Sequence, residues 1–326
     1  MEQSRLRQSA LVALAGVLLI AGGSARAEYP DRPIKVMLGF AAGSGADILA
    51  RWYADKLRQV SGATIVIENR PGASGNLAVE ASVKAKPDGY TLLMASTATT
   101  AGNTAIYKSM PFDVTRDIVP VTTLNENGLA LCINPNTTPA RNLAELAPIL
   151  KAKNGKAAYG WATTVGLAGS VIYTRGAGIE MTPVAYKVTP SAISDLAAGQ
   201  LDFVFADTPF SVGQEKQGRV KILAVTTAQR APGLPDVPTM DELGYRTSDT
   251  TPLWSMWAPA GTPTETVAKL EKWLNQVVEM PATREFLEPQ GAIPVKGSAA
   301  FLKKRLVEAI TSWNKVAEVA KIDPQQ

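Results

Sequence analysis

The chain has 326 residues, 33 basic and 29 acidic side chains, no histidine and one cysteine. That length can hold two lobes of ~150 residues, and the near-balanced charge leaves no nucleic-acid footprint. Lack of histidine removes the usual general base and the commonest metal ligand, and a lone Cys132 excludes an intrachain disulfide.

Met1–Ala27 reads as a signal peptide. Arg5 and Arg7 form a positive start, Ala10–Gly22 an apolar stretch, and Ala25-Arg26-Ala27 a cleavage site. The expectation is export to the periplasm, with cleavage after Ala27. Ile34–Phe40 is an apolar run and predicts a buried strand. The small-residue loop Ala41-Ala42-Gly43-Ser44-Gly45 follows. A helix begins there, with Ser44 as N-cap and Asp47 three residues on. Strand, glycine-rich turn and helix N-terminus together can hold an anion, because free backbone N–H groups point into the loop. Ala63–Ile67 predicts a second strand, running through the turn-rich 68–76 into a helix at Leu77–Lys84. Tyr90–Ala95 predicts a third, ending at Ser96-Thr97. Strands alternating with helices imply a parallel sheet, whose carboxyl-end loops share one edge.

Val119–Leu124 and Leu129–Ile133 predict further strands, with Asn125–Gly128 as a crossing into a second lobe. Cys132 lies in the second of these runs, a buried thiol rather than a nucleophile. Asn142–Ala152 predicts a helix. Ala157–Trp161 predicts a strand, and Ala162–Gly166 a small polar loop opening a helix near Leu167. This repeats the opening arrangement, with Thr163 and Thr164 at the helix start. Thr182–Tyr186, Leu201–Ala206 and Val220–Thr226 predict strands, the middle one ending at Asp207-Thr208. Leu253–Ala258 predicts the strand returning to the first lobe. Two helices close the chain, Thr264–Val278 and Ser298–Val319, with Trp273 and Trp313 on their apolar faces.

Gly43-Ser44-Gly45 after a strand raises a dinucleotide-binding enzyme, but Ile48 occupies the place of the third glycine. The ordered segments Tyr29–Ile34, Phe40–Asp47, Val66–Ala73, Lys86–Leu93, Met110–Asp113, Asp195–Gln200, Leu223–Ala228, Leu234–Thr239 and Ala258–Pro263 point elsewhere. Together they resemble the solute receptors of tripartite tricarboxylate transporters, the TctC or Bug family. The resemblance spans nearly all of the chain after residue 28. It departs from the family pattern at Ala41 and Gly43-Ser44, at Tyr159–Gly166, which is shorter and carries a Trp, and at Val184-Ala-Tyr-Lys-Val188.

The resemblance implies an α/β periplasmic binding protein of the type II-like, Venus-flytrap kind. It has two lobes, each a mixed, mainly parallel sheet flanked by helices. The expected division is 28–124 plus 254–326 against 125–253. The implied function is binding of a small organic carboxylate and its delivery to the membrane subunits of a tripartite tricarboxylate-type transporter. No catalysis, cofactor, metal or nucleic acid is expected, and the chain is expected to be a monomer. The alternative is an exported hydrolase working through carboxylates. The expected ligand-binding residues are Phe40, Ala41, Ala42, Gly43, Ser44, Gly45 and Asp47 from the first loop, Ser96 and Thr97, Trp161, Thr163, Thr164 and Val165, and Asp207 and Thr208. Trp161 suggests an aromatic ligand. No Arg or Lys lies in these segments, so no bidentate guanidinium clamp is expected; Arg51 sits one helical turn on.

Overall fold

The structure, a computed structural model, describes residues 29–325; the signal peptide expected over 1–27 lies outside them. In chain order the strands are β1 (Ile34–Leu38), β2 (Ile65–Asn69), β3 (Thr91–Ser96), β4 (Ile118–Asn127), β5 (Leu129–Ile133), β6 (Ala158–Trp161), β7 (Thr182–Ala185), β8 (Phe203–Asp207), β9 (Lys221–Val225), β10 (Leu253–Pro259) and β11 (Ala292–Pro294). The helices are α1 (Gly45–Ser61), α2 (Asn76–Val83), α3 (Asn103–Ile106), α4 (Leu143–Lys151), α5 (Thr164–Gly176), α6 (Thr189–Ala197), α7 (Thr208–Lys216), α8 (Thr264–Glu279), α9 (Pro281–Leu287) and α10 (Ala299–Val319).

Two mixed sheets result. The larger runs β11-β4-β10-β3-β1-β2, and the smaller β7-β6-β8-β5-β9. β1 pairs in parallel with β2 and β3, so helices cover both of its faces and its run of apolar residues is almost wholly buried. In the smaller sheet β6 pairs in parallel with both its neighbours, β7 and β8. The chain passes from one sheet to the other at Gly128, which alone separates β4 from β5. Leu129 and Thr226 exchange hydrogen bonds beside this crossing: the Thr226 amide donates to the Leu129 carbonyl, and the Leu129 amide donates to Thr226 Oγ1. The chain returns through β10, which pairs antiparallel with β3 and β4.

The sequence places most of these elements within a residue or two. β4 is the main extension. Asn125, Glu126 and Asn127 form strand ladder with β10 and β11 rather than a loop, because partners from the distant C-terminal part of the chain complete the pairing. α3, α7, α9 and β11 go unread. The segment Thr208–Lys216 begins Thr-Pro and contains Gly213, so it carries little helical periodicity, although Pro is well tolerated in a first helical turn. Trp313 is buried, as expected, against Gly102. Trp273 is only half-buried and has the Lys269 ammonium 5.3 Å from its ring centre. Burial pushes the Cys132 thiol up to about 12, which keeps it protonated and inert.

Gly213 has open space where a Cβ would sit and a backbone that any residue adopts. Gly213→Ala is therefore expected to stabilise the protein by roughly 0.5–1 kcal/mol by restricting the unfolded chain. Urea denaturation checks this, and the variant serves as a control for the glycine discussed below.

Candidate functional site

The carboxyl ends of β1, β2 and β3 lead into three loops on one edge of the larger sheet, and those of β6, β7 and β8 do the same on the smaller. Ser44 caps α1 by accepting from the Asp47 amide at 3.3 Å, and Thr163 caps α5 by accepting from the Gly166 amide at 3.0 Å. Both caps are those expected from the sequence. The loop after β2 is unusual. Gly72, Ala73, Ser74 and Gly75 all have positive φ, at 137°, 46°, 49° and 94°. Two of these are not glycine, which marks stored backbone strain of the sort found where a loop is held for function. Thr99 Oγ1 and Asn103 Nδ2 donate to the Ser74 carbonyl, and the Tyr107 hydroxyl donates to Ser74 Oγ. Gly39 admits the loop. A Cβ there would lie 2.5 Å from Gly75 Cα.

The two edges face each other and are closed down to two small cavities. The first is lined by Phe40, Ser96, Asn103, Thr164, Val165 and Asp207, with Ser74, Thr99, Thr163 and Trp254 among its other walls. The second is lined by Phe40, Ala41, Ser44, the 72–75 turn, Lys187 and Thr189. Each leaves about 10 Å³ for the centre of a water-sized sphere, room for about one water. Direct contacts cross between the edges. Thr164 Oγ1 donates to Asn103 Oδ1, and Gly45 packs so closely on Asp207 that a Cβ at 45 would come within 2.8 Å of the Asp207 Cβ. The two sides thus touch, and neither cavity has room for anything much larger than water. A roomier groove of about 420 Å³ lies between α5 and α10, walled by Val171, Ile172, Arg175, Lys315, Val316 and Val319. It is away from the strand ends and offers no convergent helix starts.

Two carboxyl groups here differ sharply. Burial alone would raise Asp47, but hydrogen bonds from Arg51 Nε, the Gly43 amide and Asn69 Nδ2 outweigh it and hold the carboxyl below its ordinary value. Asp47 thus ties the first loop to β2 and α1. Asp207 is 4 % exposed, its Oδ2 has no hydrogen-bond partner, and burial pushes it up to about 6. Only its own backbone amide opposes the shift. A buried carboxyl left unpaired in this way is a group awaiting a partner.

Of the residues expected from sequence, Phe40, Ser96, Thr163, Thr164, Val165 and Asp207 line the first cavity, and Phe40, Ala41 and Ser44 the second. Ala42, Gly43 and Gly45 line neither; Gly43 donates its amide to Asp47, and Gly45 is the close-packing point against Asp207. Thr97 and Thr208 are buried but engaged. Thr97 Oγ1 accepts from the Leu253 amide, and Thr208 Oγ1 donates to the carbonyls of Gly128 and Gly291. Trp161 also lines neither cavity and packs half-buried against the core, so its place in the fold lends no support to an aromatic ligand. Arg51 reaches Asp47 and Asn69 from a largely exposed position. No guanidinium lines either cavity, but one ammonium does. Lys187, after β7, lines the second cavity and makes no ion pair among the described residues. Ser74, Asn103 and Lys187 were missed. Ser74 and Lys187 follow strands at the same edge, and applying the strand-end rule to β2 and β7 would have found them.

The sequence profile described as tripartite tricarboxylate transporter family receptor, TctC, matches residues 49–321. Protein BugT of Bordetella pertussis is 30 % identical over 317 residues, covering 94 % of this chain and 96 % of that protein. Among solved structures, R. palustris Rpa4515 with adipate is 30 % identical with a TM-score of 0.87, covering 91 % of this chain and 100 % of its own. MatC from Rhodopseudomonas palustris with bound malate is 27 % identical with a TM-score of 0.81, covering 88 % of this chain and 99 % of its own. Periplasmic binding protein BugD has a TM-score of 0.85 at 29 % identity, covering 91 % and 100 %.

Proposed function

The chain belongs to the receptor family of tripartite tricarboxylate transporters, and we propose that it binds its small organic carboxylate in the cleft between the two sheets, at the cavities walled by Phe40, Ser74, Ser96, Thr164 and Asp207. It is a periplasmic solute receptor of a tripartite transporter rather than an enzyme, as are its relatives. The observation that carries the proposed site is the meeting of strand-end loops from both sheets, with two capped helix starts, α1 and α5, at one closed cleft.

In this reading the lobes are 28–124 plus 254–326 and 125–253, hinged where β4 passes into β5 and the chain returns to β10. Ligand oxygens take hydrogen bonds from loop amides and from hydroxyls such as that of Ser96, and the distal part approaches Lys187. Charge-assisted bonds of this kind contribute ~1.5–3 kcal/mol each. Because ligand contacts both lobes, it stabilises the closed form by its differential affinity for it. The membrane subunits of the transporter then take the closed, loaded monomer. Export uses the leader ending at Ala27.

A thermal-shift panel of succinate, glutarate, adipate and malate tests the function. At least one is expected to raise the melting temperature, by an amount equivalent to about 2.7 kcal/mol at a hundred times its Kd. A flat response to every carboxylate would count against the reading. Ser96→Ala tests the place: loss of one hydrogen bond is expected to weaken binding about tenfold, with melting of the free protein unchanged. Unaltered affinity would put the ligand elsewhere.

A further inference from the structure

The groove of about 420 Å³ between α5 and α10 takes its two walls from different lobes. In the division given above, Val171, Ile172 and Arg175 belong to 125–253, and Lys315, Val316 and Val319 to 254–326. The same two helices also meet the cleft. α5 starts there, where Thr164 Oγ1 donates to Asn103 Oδ1. At its other end Arg175 Nη1 donates to the carbonyl of Ala320, the residue that closes α10. α10 in turn reaches the cleft wall through Trp313, which packs on Gly102 beside Asn103. Movement of one lobe against the other therefore reshapes the groove.

Its charge is one-sided. Arg175, Arg246 and Lys315 border it with a single carboxylate, Asp249, and Arg246 takes that one at 2.9 Å. Arg175 and Lys315 make no ion pair among the described residues, although most arginines there do. Beside them Val319 is 74 % exposed. One wetted valine means little, but an apolar groove between two helices under uncompensated positive charge suits apolar side chains flanked by carboxylates. We propose that the groove docks such a segment, acidic and amphipathic, of the transporter's membrane subunits. The segment's Asp or Glu side chains pair with Arg175 and Lys315, and its apolar ones cover Val171, Ile172 and Val319. This rests on the chain being a receptor that hands its solute to those subunits. A partner must tell the closed form from the open one, and a surface with one wall on each lobe differs between them.

The test is equilibrium binding of the full chain to the membrane subunits in lipid nanodiscs, in the presence of the most stabilising carboxylate of the thermal-shift panel. Lys315→Glu and Val319→Asp alter exposed side chains, so both are expected to fold and to keep their carboxylate affinity. Each is expected to weaken docking at least about tenfold. Lys303→Glu makes the same charge change on α10 outside the groove and is expected to dock normally. Added salt is expected to weaken docking of the unaltered protein more than that of Lys315→Glu. Undiminished docking of both groove variants would overturn the proposal, and so would an equal loss in Lys303→Glu or no docking by the unaltered protein. A dimer in sedimentation that Val319→Asp dissolves would give the groove to a second copy instead. None of these results touches carboxylate binding in the cleft; a flat thermal-shift panel would remove that reading and this one with it.

Discussion

Replacing Gly45 with alanine is expected to leave the fold intact and to weaken ligand binding by roughly ten- to a hundredfold. Gly45 is the first residue of α1, where alanine is a better helix former, so the substitution should not harm the helix itself. Its effect is on the approach of the two lobes. A Cβ at this position would lie 2.8 Å from the Asp207 Cβ and 3.3 Å from the Phe210 amide nitrogen. Neither atom is the tip of a flexible side chain, so the surfaces must part. Overpacking of this kind costs typically 1–3 kcal/mol. Because it acts only when the cleft is shut, it lowers the closed fraction, and apparent affinity falls in proportion. Calorimetric titration measures the loss. Gly213→Ala, with open space around its Cβ, is the matched control. Affinity unchanged in Gly45→Ala would mean that the lobes do not need this contact to bind.

The second large effect is a pH dependence of closure set by Asp207. Burial moves this carboxyl from 3.8 up to about 6. Raised affinity for a proton means that the closed form holds more protons than the open, hydrated form between these values. Closure is thus favoured at low pH and opposed as pH rises through this window. The penalty is fully present above about pH 6 and absent below about pH 4, on the order of 3 kcal/mol when the ligand is missing. The chain has no histidine to mask this change. Glu126 on β4 is also raised by burial, moderated by Arg305, but it is common to both proteins compared. Free protein is expected to be more compact at pH 4.5 than at pH 8 in small-angle scattering, and Asp207→Asn to be compact at both. A free protein whose dimensions ignore pH, with the variant behaving alike, would remove Asp207 from control of closure.

The two-sheet architecture was legible because strands buried on both faces appear as mostly apolar runs, of which Leu129–Ile133 and, broken only by Lys35, Ile34–Leu38 are the clearest. The caps Ser44 and Thr163 were legible for a local reason, since a cap depends only on residues three positions away. Site membership is not local. Asp47, Thr97 and Thr208 share residue types and strand-end positions with Ser96, Thr164 and Asp207. The first three are nevertheless turned to their own loop, to Leu253 and to Gly128 and Gly291. What separates them is which neighbour the tertiary fold supplies, and no spacing encodes it. Asn103 was out of reach for another reason. It stands at the end of a π turn over Ala98–Gly102, an irregular stretch with no periodicity to read.

The most direct test of the whole account is a crystal structure of the chain with the tightest-binding carboxylate from the panel. The expected result is ligand enclosed by both lobes, in contact with Phe40, Ser96 and Asp207, with its carboxylate toward Ser44 and Lys187. Ligand seated instead in the groove of Val171, Arg175 and Lys315 between α5 and α10, or on one lobe alone, would contradict it.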